Sequence, residues 1–235
     1  MAQQLIRMCA PSGAQLDLGL SDESRLLTSA STARFVGSRF ARAFDIGPTG
    51  YFDMANQSIM PARVIDRFVV DGREVRVAQT EDELSASVAM LDQWHEVMTV
   101  YGGVVPTREE VMELFTQFEV RDTPEGMTIN PRPGTGLELS AESIVTYAEN
   151  RGSLSIPGPS TAANIVPTFR GAPTPYGEVW KSEGSLPDRE GEGANTFIYI
   201  VGTTRGVAEV IFEYRPTVDD RTLLDWLSTI SVRWS

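Results

Sequence analysis

The sequence predicts an α+β fold, with antiparallel sheets built from β-hairpins, amphipathic helices that back them, and one long irregular segment rich in Pro and Gly. Three stretches carry this prediction: a β-branched hairpin pattern over residues 64–78, an apolar stripe at helical spacing over 81–101, and paired strands over 196–214. Their order is too mixed for a doubly wound α/β fold. We predict an N-terminal region, 1–104, and a C-terminal region, 105–235, with one continuous domain as the alternative.

The N-terminal region is predicted to start irregularly and then to form a hairpin. The residues before 64 are rich in Ser, Thr and Ala and then in Gly, Pro, Asn and Asp, a composition typical of irregular structure. Within 64–78, two β-branched runs flank Asp71 and Gly72, a dipeptide that tolerates positive φ at both turn positions. We therefore predict two antiparallel strands joined by a two-residue turn.

The helix predicted over 81–101 contains the only histidine of the chain, His95. Thr80 and Glu83 have the spacing of a capping box, which marks the start of a helix. An apolar stripe follows at spacings of three and four, formed by Leu84, Val88, Leu91, His95 and Met98. Because His95 falls in this stripe, we interpret it as a partly buried, hydrogen-bonded core residue, with a functional role as the alternative.

The C-terminal region is predicted to alternate short helices and strands. The predicted elements are a helix over 107–118, a strand–turn–strand over 118–131, a helix over 141–150 capped by Ser140, a strand over 153–156, a helix opened by Thr217 and Asp220, and an edge strand over 230–234. Capping boxes mark the first and last of these helices, since Thr is followed three residues later by an acidic residue.

Residues 157–195 are predicted to form a long loop or arm. The segment is dense in Pro and Gly, and neither a helical nor a strand period holds for long. Aromatic side chains within such an arm, or near a chain end, would make good interface anchors, because a rigid ring buries a large area at low entropic cost. The protein-interface candidates are Phe169, Tyr176, Trp180 and Trp234.

The net charge restricts the kinds of partner that the protein can bind, and the cysteine content indicates its cellular compartment. Lys and Arg number 20 against 32 Asp and Glu, and the formal net charge of −12 repels phosphate backbones and anionic lipid, so we predict neither nucleic acid nor a membrane as partner. The single cysteine, Cys9, excludes an intrachain disulfide and favours a reducing compartment. With no apolar run of about 18 residues and no signal-peptide pattern, we predict a cytoplasmic protein, or one assembled into a particle from the cytoplasm.

Residue types that carry catalysis are scarce in this chain. A Ser-His-Asp triad would depend wholly on His95, and no glycine-rich loop has the spacing that cradles a phosphate. Acidic pairs such as Glu109-Glu110 fall in the first turn of a predicted helix, where the helix dipole favours negative charge without any function. We predict no catalytic, cofactor-binding or metal-binding residue, and no cofactor.

These observations favour a non-enzymatic protein-binding or assembly protein, whose partner is another protein or a second copy. A cytosolic chaperone, an immunity protein or a phage-particle-like structural component would fit, since the composition is typical of a high-GC bacterial or phage coding sequence. One alternative is a small hydrolase or transferase that uses carboxylates, with His95 as acid or base. Another is a small-molecule binding domain with a pocket lined by Phe197, Tyr199 and Trp226.

Overall fold

The protein is mostly β. The computed structural model describes residues 3–21, 23–184, 196–212 and 220–235. Strands make up 59% and helices 13% of the structure, so the predicted α+β fold with backing helices is wrong. Among the described residues the four helices are short, and the named strands pair antiparallel.

The strands follow one another along the chain with few helical interruptions. They are β1 (Gln3–Cys9), β2 (Gln15–Ser21), β3 (Leu26–Gly37), β4 (Phe40–Pro48), β5 (Ala62–Val70), β6 (Arg73–Thr80), β7 (Ser85–Leu91), β8 (His95–Gly102), β9 (Phe118–Thr123), β10 (Gly126–Pro131), β11 (Glu138–Ala148), β12 (Gly152–Pro157), β13 (Ala172–Thr174), β14 (Gly177–Gly184), β15 (Thr196–Thr203), β16 (Gly206–Ile211) and β17 (Ser231–Trp234). The helices are α1 (Tyr51–Ser58), α2 (Arg108–Thr116), α3 (Pro159–Ala162) and α4 (Asp220–Leu227).

The chain divides into two compact units, each assembled from separate segments. Unit one comprises Met1–Met8, Ala14–Ser29 and Ser143–Ser235, and unit two comprises Cys9–Gly13 and Ala30–Glu142. The predicted division at residue 104 stays a prediction about independent domains, because compactness does not show that a segment folds alone.

Unit two is built on an antiparallel sheet in the order β3-β4-β8-β7-β6-β5. One face of this sheet packs against α2 and the β9–β10 hairpin around a cluster of buried aromatic and aliphatic side chains. The other face packs against α1 through a smaller cluster that includes Phe52, Ala78 and Met98. Because both faces are covered, β7 is buried along nearly its whole length.

Unit one contains an antiparallel sheet in the order β13-β14-β15-β16-β12-β11 and a three-stranded sheet in the order β1-β2-β17. Side chains of α3, β14, β15 and β16 form one buried cluster around Trp180. On α4, the ring nitrogen of Trp226 donates a hydrogen bond to the Ser24 hydroxyl at 3.0 Å. The predicted strands over 196–214 and 230–234 are confirmed as β15, β16 and β17 within the described residues.

The predicted hairpin over 64–78 is confirmed, whereas the helix predicted over 81–101 is wrong. Strands β5 and β6 pair across Asp71 and Gly72, whose φ values of 50° and 79° fit the two-residue turn expected of this dipeptide. The supposed helix is the β7–β8 hairpin. The apparent capping box is a turn instead, since the Thr80 hydroxyl donates to Asp82 at 2.6 Å and accepts from the Ser85 amide at 3.1 Å.

Among the other predicted elements, some are confirmed and some are wrong. The Thr107–Glu110 capping box is present and opens α2, and 118–131 is the predicted strand–turn–strand. The helix predicted over 141–150 is wrong, because these residues continue strand β11 up to Ala148. The irregular start before residue 64 is also wrong, since four strands and α1 lie there.

The predicted arm is largely regular where the structure describes it. Helix α3 and the β13–β14 hairpin lie within 157–184, so an irregular arm is wrong for that part. The remainder of the arm, 185–195, lies outside the described residues, as does Thr217 of the predicted cap of α4.

Candidate protein-binding surfaces

Strand β5 forms one edge of the sheet in unit two. It is nine residues long and pairs with β6 on one side, while no described strand pairs with its other side. A strand in this position presents a row of backbone N–H and C=O groups that a further strand can use. The β5 edge is therefore a candidate site for β-strand addition.

The register of the hairpin identifies which backbone groups of β5 face outward. Val70 pairs with Arg73 next to the two-residue turn, so these two residues exchange both backbone hydrogen bonds. Val69 pairs with Glu74 in the next position, where antiparallel strands make no such bonds. The N–H and C=O of Val69 consequently point away from β6, towards the open side of the strand.

Exposed apolar side chains lie along this edge strand. Val69, which carries the open backbone groups, is 64% exposed, and Val64 and Ile65 nearer the start of β5 are also exposed. Isolated exposed apolar residues are ordinary on protein surfaces, but their concentration on an edge strand is the feature that natural proteins usually avoid. This part of unit two is suited to contact with another chain.

One half of the β5 edge is protected. The register shifts between Val64 and Asp66, which marks a β-bulge. The Asp66 carboxylate accepts a hydrogen bond from the Arg67 amide at 2.8 Å and another from Nε of Arg108 at 2.6 Å. The hydrogen bond from Arg108 is the main cause that holds the pKa of Asp66 below its usual value, which keeps the carboxylate charged. The open half therefore runs from the Arg67 carbonyl to Val69.

The edge strand β13 of unit one lacks this open backbone. Thr174 pairs with Gly177 beside a two-residue turn, so Pro173, opposite Glu178, occupies the position whose N–H would face outward. Proline has no N–H to offer, and proline on an edge strand is a common protection against strand pairing. Any partner of this edge would contact its side chains and not extend its sheet.

The four interface candidates differ in exposure. Phe169 is 65% exposed and Tyr176 is also exposed, both at the β13 edge of unit one. Trp180 on β14 and Trp234 on β17 are buried, so in this structure they are packing residues. Among the four candidates, only Phe169 and Tyr176 therefore offer an exposed aromatic ring.

The backbone that carries Phe169 is held in place by β14. The indole nitrogen of Trp180 donates to the Phe169 carbonyl at 2.7 Å, and the Gly171 amide donates to Oε2 of Glu178 at 2.8 Å. A side chain at Gly171 would collide with the Val179 carbonyl, 2.7 Å from the position of its Cβ. The exposed ring of Phe169 therefore projects from a fixed backbone, which lowers the entropic cost of binding through it.

His95 lies on β8 of unit two and has a buried acidic partner on β9. Its Nδ1 is 2.7 Å from Oδ1 of Asp122, and the Asp122 side chain is only 2% exposed. Oδ2 of Asp122 also accepts hydrogen bonds from the backbone amides of Trp94 and His95, at 2.7 and 3.3 Å. His95 is thus partly buried and hydrogen-bonded, as predicted, although on a strand.

The pairing of His95 with Asp122 could serve either catalysis or the stability of the fold. In the neutral tautomer that carries its proton on Nδ1, the imidazole donates to the carboxylate and Nε2 is the atom that could accept a proton, which is how an acid–base histidine is oriented. The same bonds also tie the β9–β10 hairpin to the turn before β8, which is a structural role. Sequence reasoning missed Asp122, because no local spacing links it to His95.

The pocket predicted around Phe197, Tyr199 and Trp226 in unit one is occupied by aromatic packing. The Phe212 ring lies edge-on to both Tyr199 and Trp226, with centroid distances of 5.4 and 5.8 Å. Tyr199 and Trp226 are both buried. The small-molecule alternative therefore gains no support in the described part of unit one.

Comparison of the chain with protein-family models, curated proteins and solved structures finds no match. Within the described residues, no helix has the length and apolar character needed to cross a membrane. The same residues contain no group of three or more His, Cys, Asp or Glu side chains placed to hold a metal ion.

Proposed function

We propose that this chain is a non-enzymatic protein-binding or assembly protein, and that it takes up a β-strand of its partner at the β5 edge. The observation that carries the proposal is the outward-facing backbone of Val69 within an exposed apolar edge strand. Strand addition of this kind uses main-chain hydrogen bonds for affinity and side-chain pockets for specificity. The exposed aromatics Phe169 and Tyr176 of unit one offer a second contact surface.

The remaining properties of the chain agree with such a role. A net charge of −12 keeps a protein with exposed apolar residues in solution and disfavours contact with nucleic acid. The single cysteine supports a cytoplasmic location, or assembly into a particle there. A chaperone, an immunity protein or a structural component of a phage-like particle would use an open sheet edge in this way.

Replacing Val69 by Pro tests the proposal without disturbing the hairpin. Proline removes an N–H that has no partner in β6, and proline is tolerated on edge strands at such positions. Val69→Thr is the matched control, because it keeps both the N–H and the β-branched shape. Proteins captured from the native host by wild type and Val69→Thr should be lost with Val69→Pro. Equal capture by all three would contradict strand addition at β5.

The second candidate function is a small hydrolase or transferase in which His95 acts as acid or base. The hydrogen bond between Nδ1 of His95 and the buried Asp122 carboxylate favours it. Hydrolysis of a panel of chromogenic esters and phosphoesters by wild type, lost in His95→Gln at unchanged melting temperature, would support this candidate. No turnover by wild type would count against it.

A further inference from the structure

Arg67 lies on the open half of the β5 edge, where the Glu74 carboxylate attracts it electrostatically without forming an ion pair with it. It faces Arg76 directly across the hairpin, and like charges at opposite positions destabilise a strand pair. Arg76 is already neutralised, since its Nε lies 2.8 Å from Oε1 of Glu74 and its Nη1 lies 3.4 Å from Oδ2 of Asp53. Among the ion pairs of the described residues, none involves Arg67.

Arg67 and Val69 face the same side of the sheet. Residues two apart on a strand point to one face, and both of these side chains are exposed. A strand added beside β5 would place its own residues opposite them, with Cβ atoms about 4.5–5.5 Å away. An acidic residue opposite Arg67 would give it a direct ion pair, which Glu74 does not because its carboxylate binds Arg76. An apolar residue opposite Val69 would cover the exposed isopropyl group.

We infer that the occupant of the β5 edge is an extended segment in which an acidic and an apolar residue stand two positions apart, in the order that the strand direction requires, so that the acidic residue pairs with Arg67 and the apolar residue with Val69. This inference rests on the proposed function, since it specifies the partner of the same edge. The net charge of −12 repels an acidic segment at long range, but salt screens this repulsion beyond about 8 Å at physiological ionic strength. The contact with Arg67 acts at shorter range and therefore decides the preference.

Two synthetic peptides test the inference on the full chain. The first is the blocked peptide Thr-Glu-Thr-Val-Thr-Glu-Thr-Val, and the second carries Lys in place of each Glu. We expect the Glu peptide to bind about fivefold more tightly than the Lys peptide, the ratio given by one favourable cross-strand pair. In Arg67→Gln, which keeps the backbone bond to Asp66, the preference should fall to about one.

The outcomes separate the inference from the function on which it rests. Equal binding of both peptides, lost in Val69→Pro, would overturn the acidic preference and leave strand addition standing. Failure of both peptides to bind would overturn the inference together with the β5 edge as a binding site. If light scattering shows a dimer that Val69→Pro dissociates, the occupant is a second copy, which also overturns the inference.

Discussion

The carboxylate of Asp122 on β9 binds the only imidazole of the chain, with Oδ1 2.7 Å from Nδ1 of His95. Asp122 is almost fully buried, and its other oxygen accepts two backbone amides at the turn before β8. Buried carboxylates are stable only when such partners surround them. We therefore regard the pair first as a structural link within unit two.

Removing the imidazole should destabilise unit two. In His95→Ala, Oδ1 of Asp122 loses its partner, and we expect the free energy of unfolding to fall by about 1–3 kcal/mol. In His95→Asn, the amide nitrogen lies close to the position of Nδ1, so most of this loss should be restored. Urea unfolding of both variants measures the difference. Unchanged stability in His95→Ala would argue against the structural role and favour the acid–base role.

The core and the proposed aromatic contact surface should respond differently to the same substitution. Phe118 is buried in unit two and packs against Phe35 and Phe44, with ring centroids 4.9 and 5.2 Å away. Phe118→Ala should cost about 3–5 kcal/mol of stability, because it leaves a cavity. Phe169→Ala should change stability by less than about 0.5 kcal/mol and weaken partner binding only. A large loss of stability in Phe169→Ala would show that its ring is a packing residue.

The half-buried Asp45 on β4 should make stability depend on pH. Burial raises the pKa of Asp45 above its ordinary value of 3.8, so the folded state binds this proton more tightly than the unfolded state. Stability must then fall as pH rises through the interval between the two pKa values, and ionised Asp45 weakens the fold at neutral pH.

Asp45→Asn should accordingly raise the urea midpoint at pH 7. The gain should disappear below pH 3.8, where Asp45 is protonated in both states. Glu81→Gln, in the exposed turn after β6, controls for the change in net charge. A gain of the same size at both pH values would show that the benefit is not electrostatic. Asp45 also contributes, after burial, to the raised pKa of Tyr51, so this pKa should move towards its ordinary value in Asp45→Asn.

The residues typical of tight turns predicted the local structure well in this chain, whereas the spacing of apolar residues did not. Asp71 and Gly72 define their hairpin through positive φ, a constraint that does not depend on distant residues. Val88 and Leu91 match a helical spacing only because β7 is buried on both faces of the sheet in unit two, and Leu84 lies in the exposed turn before β7. A strand buried on both faces can hold apolar residues at any spacing, including that of a helix, so the apolar period alone could not separate a helix from a strand here.

The candidate site was less predictable than the local elements. The sequence predicts that β5 is a strand, but its place at the edge follows from strand order, which depends on long-range pairing. The sequence also could not predict which aromatic side chains are exposed. Trp180 and Phe169 belong to the same segment, and only Phe169 is exposed. Residues that meet from distant segments, such as His95 and Asp122, leave no local pattern at all.

Amide hydrogen exchange at Val69 tests the central claim most directly. In the free chain, the Val69 amide should exchange rapidly, while its neighbours Phe68 and Val70, which pair with β6, should be protected. Addition of the Glu-containing peptide should protect Val69 and leave the two neighbours unchanged. Slow exchange of Val69 in the free monomer, or rapid exchange in the presence of saturating peptide, would contradict an open β5 edge that binds a further strand.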